Sequence, residues 1–229
     1  MNDKLKSIFI FLLPIFLAFG VSAQDLPVTA WNGDSLDKRP LIFCVSGDGG
    51  INRFSTQLCE TIKNEGYDVA ALNARSYFYS RKTPEQTAFD FGNYLNQIIK
   101  GRINQQIVLI GYSFGADIVP FILNRLPNYI HTKVMVSFLM ASSGSTDFEI
   151  HWSDILGGNS KRKMDVVSEI NRLAGDSIVI ISAGNDHSLD INKITLHTYT
   201  REVLPGGHHF DGDTDEITKV IIKHIQQMR

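Results

Sequence analysis

The run IVLIGYSFGADIVPF, residues 107–121, decides the fold. Ile107 to Ile110 is a continuous apolar stretch, the pattern of a strand buried on both faces of a parallel sheet. It drives into Gly111-Tyr112-Ser113-Phe114-Gly115 and then into a helical pattern that extends towards Leu126 and stops at Pro127. A serine between two glycines at a strand-to-helix turn calls for a physical reason. Such a turn forces its central residue into a strained backbone conformation costing on the order of 1–3 kcal/mol. It also crowds neighbouring backbone, so small residues are needed on either side. The product is a hydroxyl held clear of the sheet, with the next amide and a helix N-terminus facing any charge that develops beside it. This is the G-x-S-x-G nucleophile elbow, and its strand–turn–helix context makes a weak pattern specific.

Outward from the elbow, strand and helix alternate. Leu41 to Val45 is an apolar strand ending in Ser46-Gly47-Asp48-Gly49-Gly50, and Phe54, Leu58 and Ile62 follow at helical spacing up to Gly66. Asp68 to Leu72 reads as a second strand. Thr83-Pro84-Glu85-Gln86 has the N-cap, the first-turn proline and the returning glutamine of a capping box, and Ala88, Phe91, Leu95 and Ile98 form one apolar face. Val134–Met140, Ser177–Ser182 and His197–Leu204 read as three more strands, and a last helix begins near Asp213. Apolar strands separated by amphipathic helices predict an α/β fold: a mostly parallel sheet with helices on both faces. The irregular stretch 142–159 leaves room for a small cap or none.

The N-terminus follows a different pattern. Lys4 and Lys6 precede an almost wholly apolar stretch, Ile8 to Phe19, and Val21-Ser22-Ala23 offers a small-x-small cleavage site. The stretch contains Pro14 and falls short of the roughly 20 residues that span a bilayer. The expectation is a signal peptide over 1–23 and one domain over 24–229, carried out of the cytoplasm. A net charge of -2 carries no nucleic-acid signature. The two cysteines, Cys44 and Cys59, are read as buried thiols, with a disulfide between them as the alternative.

A serine hydroxyl needs a base, and the base an orienting acid; on an elbow the chain order is serine, acid, histidine. Asp186 follows an apolar strand and is the expected acid, with Asp190 the runner-up. The histidine should follow the last strand, where Pro205-Gly206-Gly207-His208-His209-Phe210 stands. Both His208 and His209 remain candidates, with His209 preferred. Oxyanion donors are expected from the amide of Phe114 and from the Ser46–Gly50 loop, where Asp48 is the favoured amide. Two other readings compete. His208, His209, Asp211 and Asp213 could serve as metal ligands, although that leaves the elbow unexplained. A non-catalytic binding protein on the same fold is the second. Arg53, Arg75, Tyr77, Tyr79, Arg81 and Lys82 gather in loops expected to border the site, either as solvated surface or as contacts to a phosphate.

Ser46-Gly-Asp-Gly-Gly50, Thr83-Pro-Glu-Gln-Thr87, Gly111-Tyr-Ser-Phe-Gly-Ala-Asp117 with Pro120-Phe121 and Asn124-Arg-Leu-Pro127, and Leu204-Pro-Gly-Gly-His-His-Phe-Asp-Gly-Asp213 resemble the bacterial virulence protein VirJ and AcvB family. The resemblance runs from about residue 40 to the C-terminus. It implies an α/β-hydrolase fold and a periplasmic serine hydrolase associated with virulence, with Ser113 as nucleophile, Asp186 as acid and His209 or His208 as base. For AcvB-like members it implies hydrolysis of aminoacylated phosphatidylglycerol such as the lysyl form. The resemblance is to the shorter VirJ-like form, which implies a chain without the extra N-terminal domain of those longer members. An aminoacyl ester carries an ammonium near the scissile carbonyl, so a carboxylate should stand close by: Asp48 and Asp117 are the candidates. The expected partners are a lipid or small ester, a membrane surface and other periplasmic proteins; no nucleic acid, cofactor or metal is called for.

Overall fold

The computed structural model describes residues 26–34, 37–151 and 162–228. The leader expected over 1–23, and the part of the irregular 142–159 stretch beyond His151, lie outside the described residues. Seven strands form one sheet: β1 (Val28–Trp31), β2 (Leu41–Val45), β3 (Val69–Leu72), β4 (Ile107–Tyr112), β5 (Val134–Met140), β8 (Ile178–Ala183) and β9 (Tyr199–Leu204). Their spatial order is β1-β3-β2-β4-β5-β8-β9, with β1 antiparallel to β3 and every other pair parallel. The two-residue strands β6 (Ser145–Thr146) and β7 (Met164–Asp165) pair as a separate ribbon.

The sequence dictates this layering because apolar side chains on successive strand positions face opposite sides of the sheet. Leu41, Phe43 and Val45 pack into one core, together with Ile107 and Leu109, while Ile42, Cys44, Val108 and Ile110 pack into another. Helices α3 (Pro84–Ile99), α4 (Phe114–Leu123) and α6 (Val166–Asn171) cover the first face. Helices α1 (Arg53–Asn64) and α7 (Thr214–Gln227) cover the second, placing Leu58, Ile62, Ile217, Ile221 and Ile225 against it. Each such fully buried side chain contributes roughly 1.5–3 kcal/mol. Two short helices, α2 (Ala74–Tyr77) and α5 (Asn128–His131), sit in connections.

Local signals act as read. Thr83 accepts from the Gln86 amide and Gln86 from the Thr83 amide, each at 3.1 Å, completing the capping box of α3. Asp213 accepts from the Glu216 amide at 3.0 Å and opens α7. Cys44 and Cys59 are both buried free thiols. The edge strand β1 is an addition, for a half-buried four-residue strand has too few positions to show a period. No helix among the described residues is long and apolar enough to cross a membrane.

Candidate active site

The elbow lies at the carboxyl end of the central strand β4, with the loop after β2 on one side and the loops after β8 and β9 on the other. Ser113 adopts φ 53° and ψ −119°, in the left-handed half of backbone space that a side chain makes costly. Two hydrogen bonds hold it there as α4 begins: its amide donates to the Met140 carbonyl at 2.9 Å, and its carbonyl accepts from the Asp117 amide at 3.1 Å. The flanking glycines are needed for space rather than for torsion. A Cβ on Gly111 would stand 2.6 Å from the Ala116 Cα, and one on Gly115 would overlap the Val45 carbonyl oxygen. Helix α4 therefore leaves the sheet with backbone pressed on backbone, and the serine points outward.

The structure brings Ser113, His208 and Asp186 into one chain of hydrogen bonds. His208 Nε2 is 2.8 Å from Ser113 Oγ and its Nδ1 is 2.6 Å from Asp186 Oδ2. With the imidazole proton on Nδ1, that N–H donates to Asp186 and the serine hydroxyl donates to Nε2. The preference for His209 is thereby corrected: His209 turns its Nδ1 to the Tyr112 hydroxyl instead. Backbone torsion is the cause. Gly206 (φ 94°), Phe210 (φ 51°), Asp211 (φ 52°) and Gly212 (φ 79°) all lie in the left-handed region, so the loop coils tightly and only one of two successive side chains faces the elbow. Phe210, 2% exposed, anchors that coil in the core. Gly206 suits its φ of 94°, a torsion that would strain any side chain, and a Cβ there would also crowd the Asp211 carboxylate.

Asp186 has a side chain 9% exposed. Burial works against its charge, but hydrogen bonds from the Ser188 hydroxyl and amide (2.6 and 3.0 Å) and from His208 outweigh that cost and hold the carboxyl below its ordinary range. Asp190, the runner-up, instead caps a short turn by accepting from the Asn192 amide. The remaining metal-ligand candidates also have separate tasks. Asp211 lies 3.4 Å from the Gly207 amide, and Asp213 caps α7.

The Ser46–Gly50 loop lies against Ser113, since a Cβ on Gly47 would be 3.5 Å from that of Ser113. Its turn is closed by the Gly50 amide donating to the Gly47 carbonyl at 2.9 Å, which leaves the Asp48 and Gly49 amides outside that bond. The Ser46 hydroxyl accepts from the Ala74 amide at 3.0 Å and pins the loop. Phe114 opens α4, where the first amides of a helix have no partner within it. The Asp48 carboxylate is near enough to the Tyr112 phenol, as is that of Asp186, for both to add to the effect of burial, which is the larger cause of a phenol that holds its proton well above the ordinary range.

Asp117 does not line the site, and its expected role towards a substrate amine is withdrawn. Its carboxylate is 5% exposed and accepts from the Ser142 hydroxyl (2.9 Å), the Ser143 amide (2.6 Å) and the Ser143 hydroxyl (2.7 Å). It ties α4 to the loop after β5, a link that helical spacing alone could not show. Burial pushes its carboxyl up to about 6, against those hydrogen bonds and the Arg162 charge. Because the folded value lies above the unfolded one, the stability it contributes is present at pH 4 and is lost as pH rises through about 6. The difference in stability between wild type and Asp117→Asn should therefore shift by about 3 kcal/mol over this window, in the sense that only wild type loses stability; denaturant unfolding at a series of pH values measures it.

Of the basic and aromatic loop residues, Tyr77 is buried and donates to Asp90 at 2.5 Å, Lys82 lies over its ring, and Arg81 pairs with Glu149.

A family model described as "Bacterial virulence protein (VirJ)" matches residues 40–229. A search of curated proteins returned no match. Among solved structures, the chain is similar to Est1E from Butyrivibrio proteoclasticus, with 12% identity and TM-score 0.64 over 89% of this chain and 95% of that one. It is also similar to MenH from S. aureus (11%, 0.65, 88% and 98%) and to the thioesterase domain from the curacin biosynthetic pathway (13%, 0.57, 85% and 94%). At such identities the likeness carries the fold alone, and that fold is the α/β-hydrolase one.

Proposed function

From the membership of this chain in the bacterial virulence protein VirJ family, and from the triad geometry within it, we propose that it is a serine hydrolase that cleaves a carboxylic ester through an acyl-enzyme. The observation that carries the reading is the unbroken Ser113–His208–Asp186 hydrogen-bond chain at the end of the central strand. Ser113 Oγ attacks the ester carbonyl as its proton passes to His208 Nε2. The Asp186 carboxylate stabilises the imidazolium that forms, and the amides of Phe114 and Asp48 face the developing oxyanion. His208 then protonates the departing alkoxide. A water molecule, activated by the same imidazole, releases the acid and restores the serine.

The substrate we propose is an aminoacyl ester, lysyl-phosphatidylglycerol being the type, met in the periplasm after removal of a leader over 1–23. With Asp117 withdrawn, Asp48 is the carboxylate left to receive the ammonium, and its influence on Tyr112 supports a position at the site. Asp48→Asn keeps the backbone amide and removes the charge. It should lower kcat/KM for a lysyl ester about tenfold, equivalent to roughly 1.4 kcal/mol, and leave a neutral acyl ester unaffected. Equal loss on both esters would remove the amine-binding role.

The experiment that tests the hydrolase reading is labelling of the purified protein with a fluorophosphonate and location of the modified peptide by mass spectrometry. Modification at Ser113 supports an activated serine; a folded protein that resists the reagent points to a binding role on a hydrolase fold.

A further inference from the structure

Tyr112 lies outside the triad, yet its phenol reaches the base loop at two points. The hydroxyl is hydrogen-bonded to His209 Nδ1 and lies 3.5 Å from the carbonyl oxygen of His208. Its ring, 5% exposed, ends the central strand and packs on Phe54 with centroids 4.7 Å apart; Phe54 also meets the His209 ring, at 6.4 Å. The two imidazoles meet edge to face at 5.5 Å. One end of this contact is therefore the residue bonded to Ser113, and the other is the residue bonded to His208.

The loop that carries His208 has a reason to need such a contact. Phe210 and Asp211 occupy left-handed torsions that cost energy in any residue with a side chain. Phe210 anchors the loop from the core side, downstream of the histidines. Nothing in that anchor fixes the imidazole's height over Ser113. A phenol has one proton and two lone pairs, enough to serve both neighbours. When His209 Nδ1 is bare, the hydroxyl donates to it. When His209 carries a proton on Nδ1, that N–H donates to the phenol oxygen and the hydroxyl turns to the His208 carbonyl. Either arrangement links the elbow to the base loop.

We propose that Tyr112 and His209 form a strut that sets His208 over Ser113, so that both are positioning residues for the acyl transfer described above, a reading on which this inference rests. The second histidine of the Gly-Gly-His-His-Phe run thus holds the first.

Three variants and two measurements test it. Tyr112→Phe removes the hydroxyl alone, His209→Phe removes the nitrogen and keeps a ring on Phe54, and His209→Asn restores a polar atom near the Nδ1 position. Tyr112→Phe and His209→Phe should each slow fluorophosphonate labelling of Ser113 about tenfold, the scale of one hydrogen bond, with Tm changed by less than about 4 °C. The double variant should be no slower than the slower single one, and His209→Asn should label at close to the wild-type rate. Amide hydrogen exchange over residues 206–209 should quicken in both phenylalanine variants. Wild-type labelling rates in Tyr112→Phe, multiplied losses in the double variant, or unchanged exchange would each overturn the strut. Quickened exchange in a protein whose wild type resists the reagent would keep the strut and remove the hydrolase reading.

Discussion

Ser113→Ala is expected to lower kcat/KM for an activated ester such as p-nitrophenyl acetate by about 10⁴–10⁶-fold, the scale of losing a triad nucleophile, while the protein stays folded. The reason lies in what the substitution leaves in place. Alanine keeps the Cβ, so the strained φ of 53° and the contacts that hold it are unchanged, and one hydroxyl is lost. Ser113→Gly should be equally inactive but different in stability. Glycine enters that torsion without steric cost, offset in part by greater freedom in its unfolded chain. The net gain should be about 1 kcal/mol, or roughly 2–4 °C in Tm. A pair of variants that are both inactive, one more stable than wild type, would locate the strain at the nucleophile. Retained hydrolysis in Ser113→Ala would place the chemistry elsewhere.

The elbow could be read from sequence because its requirements are local. A buried parallel strand announces itself by a continuous apolar run, and the clashes that forbid a side chain at Gly111 and Gly115 arise from helix α4 folding back on strands β4 and β2. Asp186 was legible for a related reason: chain order and the end of an apolar strand place it. The choice between His208 and His209 was not legible, since it depends on left-handed torsions at Phe210 and Asp211 that a buried aromatic ring enforces. No pattern of residue types reports such a torsion. Asp117 misled for the opposite reason. Its place four residues past Ser113 suggested a carboxylate at the site, whereas its partners, Ser142 and Ser143, come from a loop two elements away. One signal for Tyr112 was present: a buried strand tyrosine beside the elbow must satisfy its hydroxyl.

Exchange of the two adjacent histidines should give unequal losses. His208→Gln is expected to lower kcat/KM by about 10⁴-fold or more, because the glutamine amide has no basic nitrogen to take the serine proton. His209→Gln should cost no more than about tenfold, the effect of a lost hydrogen bond in the strut. Asp186→Asn separates orientation from basicity. An asparagine can present its amide N–H to Nδ1, which favours the tautomer with the proton on Nε2, and that nitrogen then has no lone pair for the serine hydroxyl. Its loss should approach that of His208→Gln, about 10⁴-fold. Since hydrogen bonds from Ser188 and His208 hold the Asp186 carboxyl below its ordinary range, wild-type Asp186 stays ionised well into acid. Protonation of Asp186 is therefore not what sets the acid side of the activity profile. A pH profile of kcat/KM for wild type, His208→Gln and His209→Gln decides the matter. Loss of the acid limb with His208 and its survival without His209 assigns the base, and the reverse pattern would transfer the role to His209.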